Sequence, residues 1–159
     1  MESVYPPTKY LTFGPWIYLV PQYKPKDVLI LGYDGGTVAG LIRLLYGNIP
    51  ITGVDIEHYD DLYGVTFIQE DAKEYVKHSK HFDTVIIDLF ENGKVCDFVT
   101  SEEFINDVSK IANYIIIDTL NELDMSNWDV VRGVGMNKPS RCSNKIYYYR
   151  TVEISGLLP

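Results

Sequence analysis

The sequence predicts an α/β fold: a mostly parallel twisted sheet with helices on both faces and an antiparallel hairpin at the C-terminal end. Three observations carry that reading. Short β-branched runs such as "DVLILG" (27–32), "FDTVIID" (82–88) and "NYIIID" (113–118) are apolar at consecutive positions, as strands buried on both faces must be. Segments with a helical period alternate with them. After the fifth run, "WDVVRGVGM" and "NKIYYYRTVEI" flank the polar "NKPSRCS", the pattern of a hairpin.

The elements follow in order. "DVLILG" is the first strand; Val38, Leu41, Ile42 and Leu45 then fall at i, i+3, i+4 and i+7, one face of a helix. "ITGVDI" (51–56) and "VTFI" (65–68) are the second and third strands, and "DAKEYVKH" a helix with Asp71 as cap and Glu74 at the capping-box position. After the fourth strand, "TSEEFINDVSKI" opens with Thr100 and Glu103 as a second capping box and sets Phe104, Ile105, Val108 and Ile111 on one face. Five strands separated by helices make an open parallel sheet, closed by the hairpin, in which Tyr147 and Tyr149 share one face of a packed edge strand. Residues 1–25, with five prolines, form an irregular or short β extension, and residues 26–159 one domain.

A chain of 159 residues with 46% hydrophobic content supports one core. It has no apolar run of about 18 residues, so no membrane span is expected. "MESVYPPTKY" lacks the layout of a secretion signal, and Cys96 and Cys142 lack redox or metal-ligand spacing, which together lead to an expected cytoplasmic location. His58, His78 and His81 show no second-ligand pattern, so no metal is expected. The net charge of −8 argues against general nucleic-acid binding. It is uneven: residues 126–159 carry +3 and residues 1–125 carry −11, and Lys138, Arg141 and Lys145 gather at the hairpin turn as a candidate contact for an anion, or simply a solvated loop.

The glycine turn Gly32-Tyr33-Asp34-Gly35-Gly36 joins a strand to a helix, which places backbone N–H groups at a helix N-terminus beyond the carboxyl end of the sheet. No Gly-Lys-Ser/Thr follows, so it is not a Walker-type phosphate loop. Asp55 ends the second strand, where an acidic residue can accept both hydroxyls of a ribose. Asp71 ends the third, where it can accept from an adenine amino group or only cap its helix.

"VLILGYDGGT", "GVDIE", "FIQEDAKEYV" and "FDTVIIDLF…TSEEF" resemble, in order and spacing over about residues 26–120, the motifs of spermidine synthase-like proteins within the class I S-adenosylmethionine-dependent methyltransferase superfamily. The resemblance implies a small, N-terminally truncated member with a Rossmann-like methyltransferase fold. It implies that Gly32 through Gly36 face the methionine part of S-adenosylmethionine or its decarboxylated form, that Asp55 with Ile56 holds the ribose, and that Asp71 with Ala72 contacts the adenine. Asp88 with Leu89 falls beside the sulfonium, Asp88 at the first of the two aspartates of the aminopropyltransferases and Glu91 near the second.

Two departures qualify the resemblance. Asp34 stands where the methyltransferase turn commonly has glycine, and only about 25 residues precede the first strand, where the aminopropyltransferases carry a β domain. A carboxylate at Asp88 suits transfer to an amine, since it can orient the amine and take its proton; otherwise it merely ends a strand. No (D/N)PP(Y/F) motif is present, which disfavours methylation of nucleobase amines by that route. The first expectation is a methyltransferase acting on a small-molecule acceptor. The second is aminopropyl transfer from decarboxylated S-adenosylmethionine, and the third a non-catalytic binding protein of the same fold. Assembly as a homodimer is compatible with all three.

Overall fold

The computed structural model describes residues 16–60, 63–120, 123–131, 136–139 and 144–151. Seven strands form one sheet: β1 (Val28–Leu31), β2 (Ile51–Asp55), β3 (Thr66–Gln69), β4 (Phe82–Ile87), β5 (Ala112–Leu120), β6 (Met136–Pro139) and β7 (Asn144–Arg150). Their order across the sheet is β3-β2-β1-β4-β5-β7-β6. The first five pair in parallel, while β7 runs antiparallel to both β5 and β6. The order reverses between β1 and β4, the switch point beyond which such sheets hold ligands.

Successive side chains on a strand point to opposite faces, and the core divides accordingly. Val28 and Ile30 of β1, Ile86, Ile116 and Ile146 pack against α1 (Trp16–Leu19) and α2 (Thr37–Tyr46). Leu29 and Leu31, Val85 and Ile87, Ile115 and Ile117 pack on the other face, against α3 (Ala72–Tyr75) and α4 (Glu102–Ile111). A ten-residue helix such as α4 is marginal alone. Burying Phe104, Ile105 and Val108, at about 1.5–3 kcal/mol each, fixes it to the sheet. Trp128 is fully buried on the same face, where its indole N–H donates to the Val99 carbonyl at 3.0 Å and its ring stacks on Tyr149.

Several local expectations are corrected. The α4 cap is Ser101, whose hydroxyl accepts from the Phe104 N–H at 3.2 Å; Thr100 instead donates to the Asp97 carbonyl. Leu45 of α2 is 53% exposed, while Val38, Leu41 and Ile42 form the buried face. The described residues between β2 and β3 form no helix; Arg43 of α2 holds that connection by donating to the Tyr63 and Gly64 carbonyls. Residues 16–19 are a helical turn rather than β, seated by Trp16 and Leu19 in the α2-side core. The strand of Tyr147 and Tyr149 is internal, with β6 at the edge, and Trp128 to Val130 lie in a 3₁₀ turn, Ser126–Val130, rather than a strand. Cys142, Arg141 and the Lys138 side chain lie outside the described residues, so the proposed basic contact does too.

Gly32 is the tightest point. Its φ is +89°, and a Cβ there would stand 2.1 Å from the Asp88 carbonyl oxygen. Gly93 also has positive φ, +75°, but its missing Cβ would meet nothing within 4 Å. Gly93→Ala is therefore expected to lose only the backbone cost, about 1–2 kcal/mol, whereas Gly32→Ala adds a backbone clash and is expected to lose about 3 kcal/mol or more. Equilibrium chemical denaturation of both variants checks this, and equal losses would mean that the crossing relaxes freely.

Candidate functional site

A cavity of about 690 Å³ opens beyond the carboxyl ends of the parallel strands, within the size range of small-molecule sites. Each strand end delivers an acid to it. Asp34 comes from the turn after β1, Asp55 and Glu57 from the end of β2, and Asp71 from the end of β3. Asp88 and Glu91 follow β4, and Asp118 lies on β5. No lysine, arginine or histidine is among the described residues that line it.

The glycine turn supports the site more than it lines it. Of its five residues, only Asp34 borders the cavity. The Gly32 N–H donates to the Val54 carbonyl at 2.8 Å, the Gly36 N–H to the Tyr33 carbonyl at 3.0 Å, and the Asp34 N–H to Asp55 Oδ2 at 3.3 Å. Tyr33 turns into the α2-side core, 4% exposed, and its ring occupies the space beside Gly36 and Gly53. Gly35 and Asp34 adopt positive φ, +77° and +43°, so aspartate tolerates the left-handed position that the turn requires.

Asp55 has two tasks at once. Oδ2 accepts from Asp34, Oδ1 accepts from the Glu57 N–H at 3.0 Å, and the carboxylate still borders the cavity. Asp71 is the cap of α3, accepting from the Lys73 N–H at 2.9 Å, and also lines the wall, with Ala72 beside it. Ile56 is 69% exposed at the rim, an apolar surface available to a flat ring, and Leu89 lies across from the turn. Glu91 sits on a two-strand ribbon, Phe90–Glu91 against Lys94–Val95.

Asp88 and Asp118 form the floor. Their strands pair with Ile87 opposite Ile117, so the next residues stand side by side and both line the cavity. Asp118 is 2% exposed, and its Oδ1 accepts from Asn144 Nδ2 at 2.8 Å. Desolvation followed by the Asp118 charge holds the Asp88 carboxyl well above the usual carboxylate range. Asp118 is pushed up to about 6, by burial, with the Asn144 bond opposing. Neither Asp118 nor Asn144 is a candidate in the sequence reading, although "VIID" (85–88) and "IIID" (115–118) repeat one strand ending. Among the described residues no cluster of His, Cys, Asp and Glu could hold a metal ion, and no helix is long and apolar enough to cross a membrane.

This arrangement is an α/β sheet with a ligand cavity at its switch point, and solved structures share it. Human methyltransferase-like protein 13, in complex with SAH, superposes with a TM-score of 0.69 at 13% identity, over 89% of this chain and 83% of that one. A probable spermidine synthase from Corynebacterium glutamicum gives 0.67 at 15% identity, over 87% and 63%. A spermidine synthase in complex with the transition state analogue AdoDATO gives 0.65 at 17%, over 86% and 57%. The chain thus has the Rossmann-like fold common to class I methyltransferases and spermidine synthases, and spans about three fifths of the two synthases. No family model matches its sequence, and no curated protein does either.

Because Asp55 ties the turn to the end of β2, Asp55→Ala is expected to lower stability by about 1–2 kcal/mol, leaving two backbone N–H groups without their acceptor. Thermal or chemical unfolding measures it; no loss would mean water replaces the carboxylate fully.

Proposed function

We propose that the protein is an S-adenosylmethionine-dependent transferase that acts on a small amine. The observation that carries this reading is the cavity wall of seven carboxyl side chains, with no basic residue among the described residues that line it. Such a wall fits a cationic ligand and repels an anionic one. The donor, when bound, supplies an electrophilic carbon attached to a positively charged sulfur. Asp55 is placed to accept from ribose hydroxyls, and Asp71, beside Ala72, from an adenine amino group. Ile56 offers a surface to the ring. Asp34 and Asp88 offer negative charge near the sulfonium, and Asp88, deprotonated, is placed to orient an acceptor amine and take its proton.

Methyl transfer is the first reading, in line with the fold. The acid wall favours a second, aminopropyl transfer. S-adenosylmethionine carries a carboxylate tail, and no described lining residue offers it a positive partner. The decarboxylated donor lacks that charge. Two like charges about 6 Å apart repel by roughly 3 kcal/mol at an effective dielectric of 20, more than a hundredfold in affinity.

Calorimetry with S-adenosylmethionine, its decarboxylated form and uncharged 5′-methylthioadenosine tests the proposal. Both sulfonium ligands are expected to bind at least tenfold more tightly than methylthioadenosine. Equal affinities, or none, would overturn it. A preference for the decarboxylated donor assigns aminopropyl transfer, and the reverse assigns methyl transfer. Asp71→Asn separates capping from binding: asparagine caps as well, so stability is expected to change by only a few tenths of a kcal/mol, while loss of the acceptor charge weakens all three adenine-bearing ligands by about tenfold.

A further inference from the structure

Asp118 is not needed to build β5. A residue at that position faces inward at 2% exposure, where an apolar side chain would be favoured, yet it carries a carboxyl into the cavity floor beside a second one. The β4–β5 register sets Asp88 beside Asp118, and two neighbouring carboxyls can share a hydrogen bond only with a hydrogen between them, because two carboxylates have only acceptors to offer. The donor amide of Asn144, at the start of β7, stabilises the charged form of Asp118 at 2.8 Å. The shared hydrogen therefore belongs mainly to Asp88. Titratable groups line the same cavity from the surrounding elements: Asp34 from the turn after β1, Asp55 at the end of β2, Asp71 at the start of α3, Glu91 on the ribbon and Cys96 just after it. Among the described residues these groups are all acids, and a negative charge on any of them favours keeping the proton.

We propose that Asp118 is a positioning residue for Asp88: clamped by Asn144, it shares one proton with Asp88 across the ends of β4 and β5, and the pair releases that proton to solvent when a cation enters the cavity. The release balances charge, one positive group entering and one proton leaving. The coupling to a ligand rests on the cavity being a cation site, as argued above; the sharing of the proton does not. Its consequence is a floor that carries one negative charge when empty and two when occupied, so that Asp88 is a carboxylate, competent to accept from an amine, only when a cation is present.

Carboxyl ¹³C NMR of the full chain across pH, without ligand, tests the sharing directly. Asp88 and Asp118 are expected to titrate as one coupled pair, with Asp88 well above the ordinary range. Asp118→Asn keeps the shape, still accepts from Asn144 and can donate to Asp88, so the Asp88 titration is expected to drop by about one pH unit or more. An Asp88 titration unmoved by this change, or two acids titrating at ordinary values, overturns the proposal.

Stability gives an independent readout. Between the ordinary carboxylate range and the pair's own titration, the folded chain holds a proton that the unfolded chain has released, so stability falls as pH rises through that interval. The melting temperature of Asp118→Asn relative to the wild type is therefore expected to gain about 3 °C or more between pH 5 and pH 7.5; a difference that does not change with pH counts against the proposal. Calorimetry of S-adenosylmethionine at pH 6 in buffers of different ionisation enthalpy then reads the coupling, with about one proton released by the wild type and markedly fewer by Asp118→Asn. Binding without proton release overturns the coupling. No binding of S-adenosylmethionine or of its decarboxylated form at any pH, with the paired titration present, overturns the transferase reading and leaves the pairing supported.

Discussion

The rest of the molecule depends on one close crossing, where the chain leaves β1 at Gly32 and passes the carbonyl of Asp88 at the end of β4. No side chain fits between them. The sheet ladder continues one residue beyond the strands on both sides: the Gly32 N–H donates to Val54, and the Asp88 N–H to Leu31 at 2.8 Å. Three strand ends are thereby fixed in register before any loop begins. Everything that follows them, the turn, the ribose-side acid and the floor, is carried on rigid backbone, and a site on strand ends is more precise than one on free loops.

Below that crossing, the turn is filled by its own side chain. Tyr33 folds back under Gly36 and against Gly53, with Phe67 and Tyr59 around its ring at centroid distances of 5.6 and 6.1 Å. Three of the turn's N–H groups are spent on internal acceptors. A glycine turn of this kind ordinarily suggests an anion on its backbone donors. Here three of those donors are engaged and Asp34 is the turn residue that borders the cavity, so the same local geometry presents negative charge to it instead.

The strands and their parallel order were legible because buried runs such as "DVLILG" and "FDTVIID" have no other stable use in a chain of this length. Asp55, Asp71 and Asp88 were legible as strand-end acids. Asp118 was not, though it ends "NYIIID" in the same way, because its importance lies in β5 lying beside β4 in register, which is a property of the sheet and not of either strand. Asn144 was hidden for the same reason, reaching Asp118 across an antiparallel pairing. The misplaced cap has a smaller cause: Thr100 and Ser101 are adjacent capping residues, and the 3₁₀ turn Asp97–Thr100 occupies the first and leaves the second to start α4.

The acids of the cavity do not all argue equally for a ligand. Asp71 would be expected at its position for capping alone, and Asp55 for tying the turn to β2; each gains backbone hydrogen bonds that offset its desolvation. Glu57 and Glu91 are exposed, where a charge costs little. Asp88 and Asp118 are different. Crowding two carboxyls at the end of a parallel sheet opposes folding, and a hydrophobic pair would serve the core better. With total stabilities of about 5–15 kcal/mol for a domain, a cost of even 1–2 kcal/mol is a sizeable share. Such a pair is explained by what it does at the cavity floor and not by what it does for the fold, which is why the chemical argument for a cationic ligand rests most heavily on these two residues.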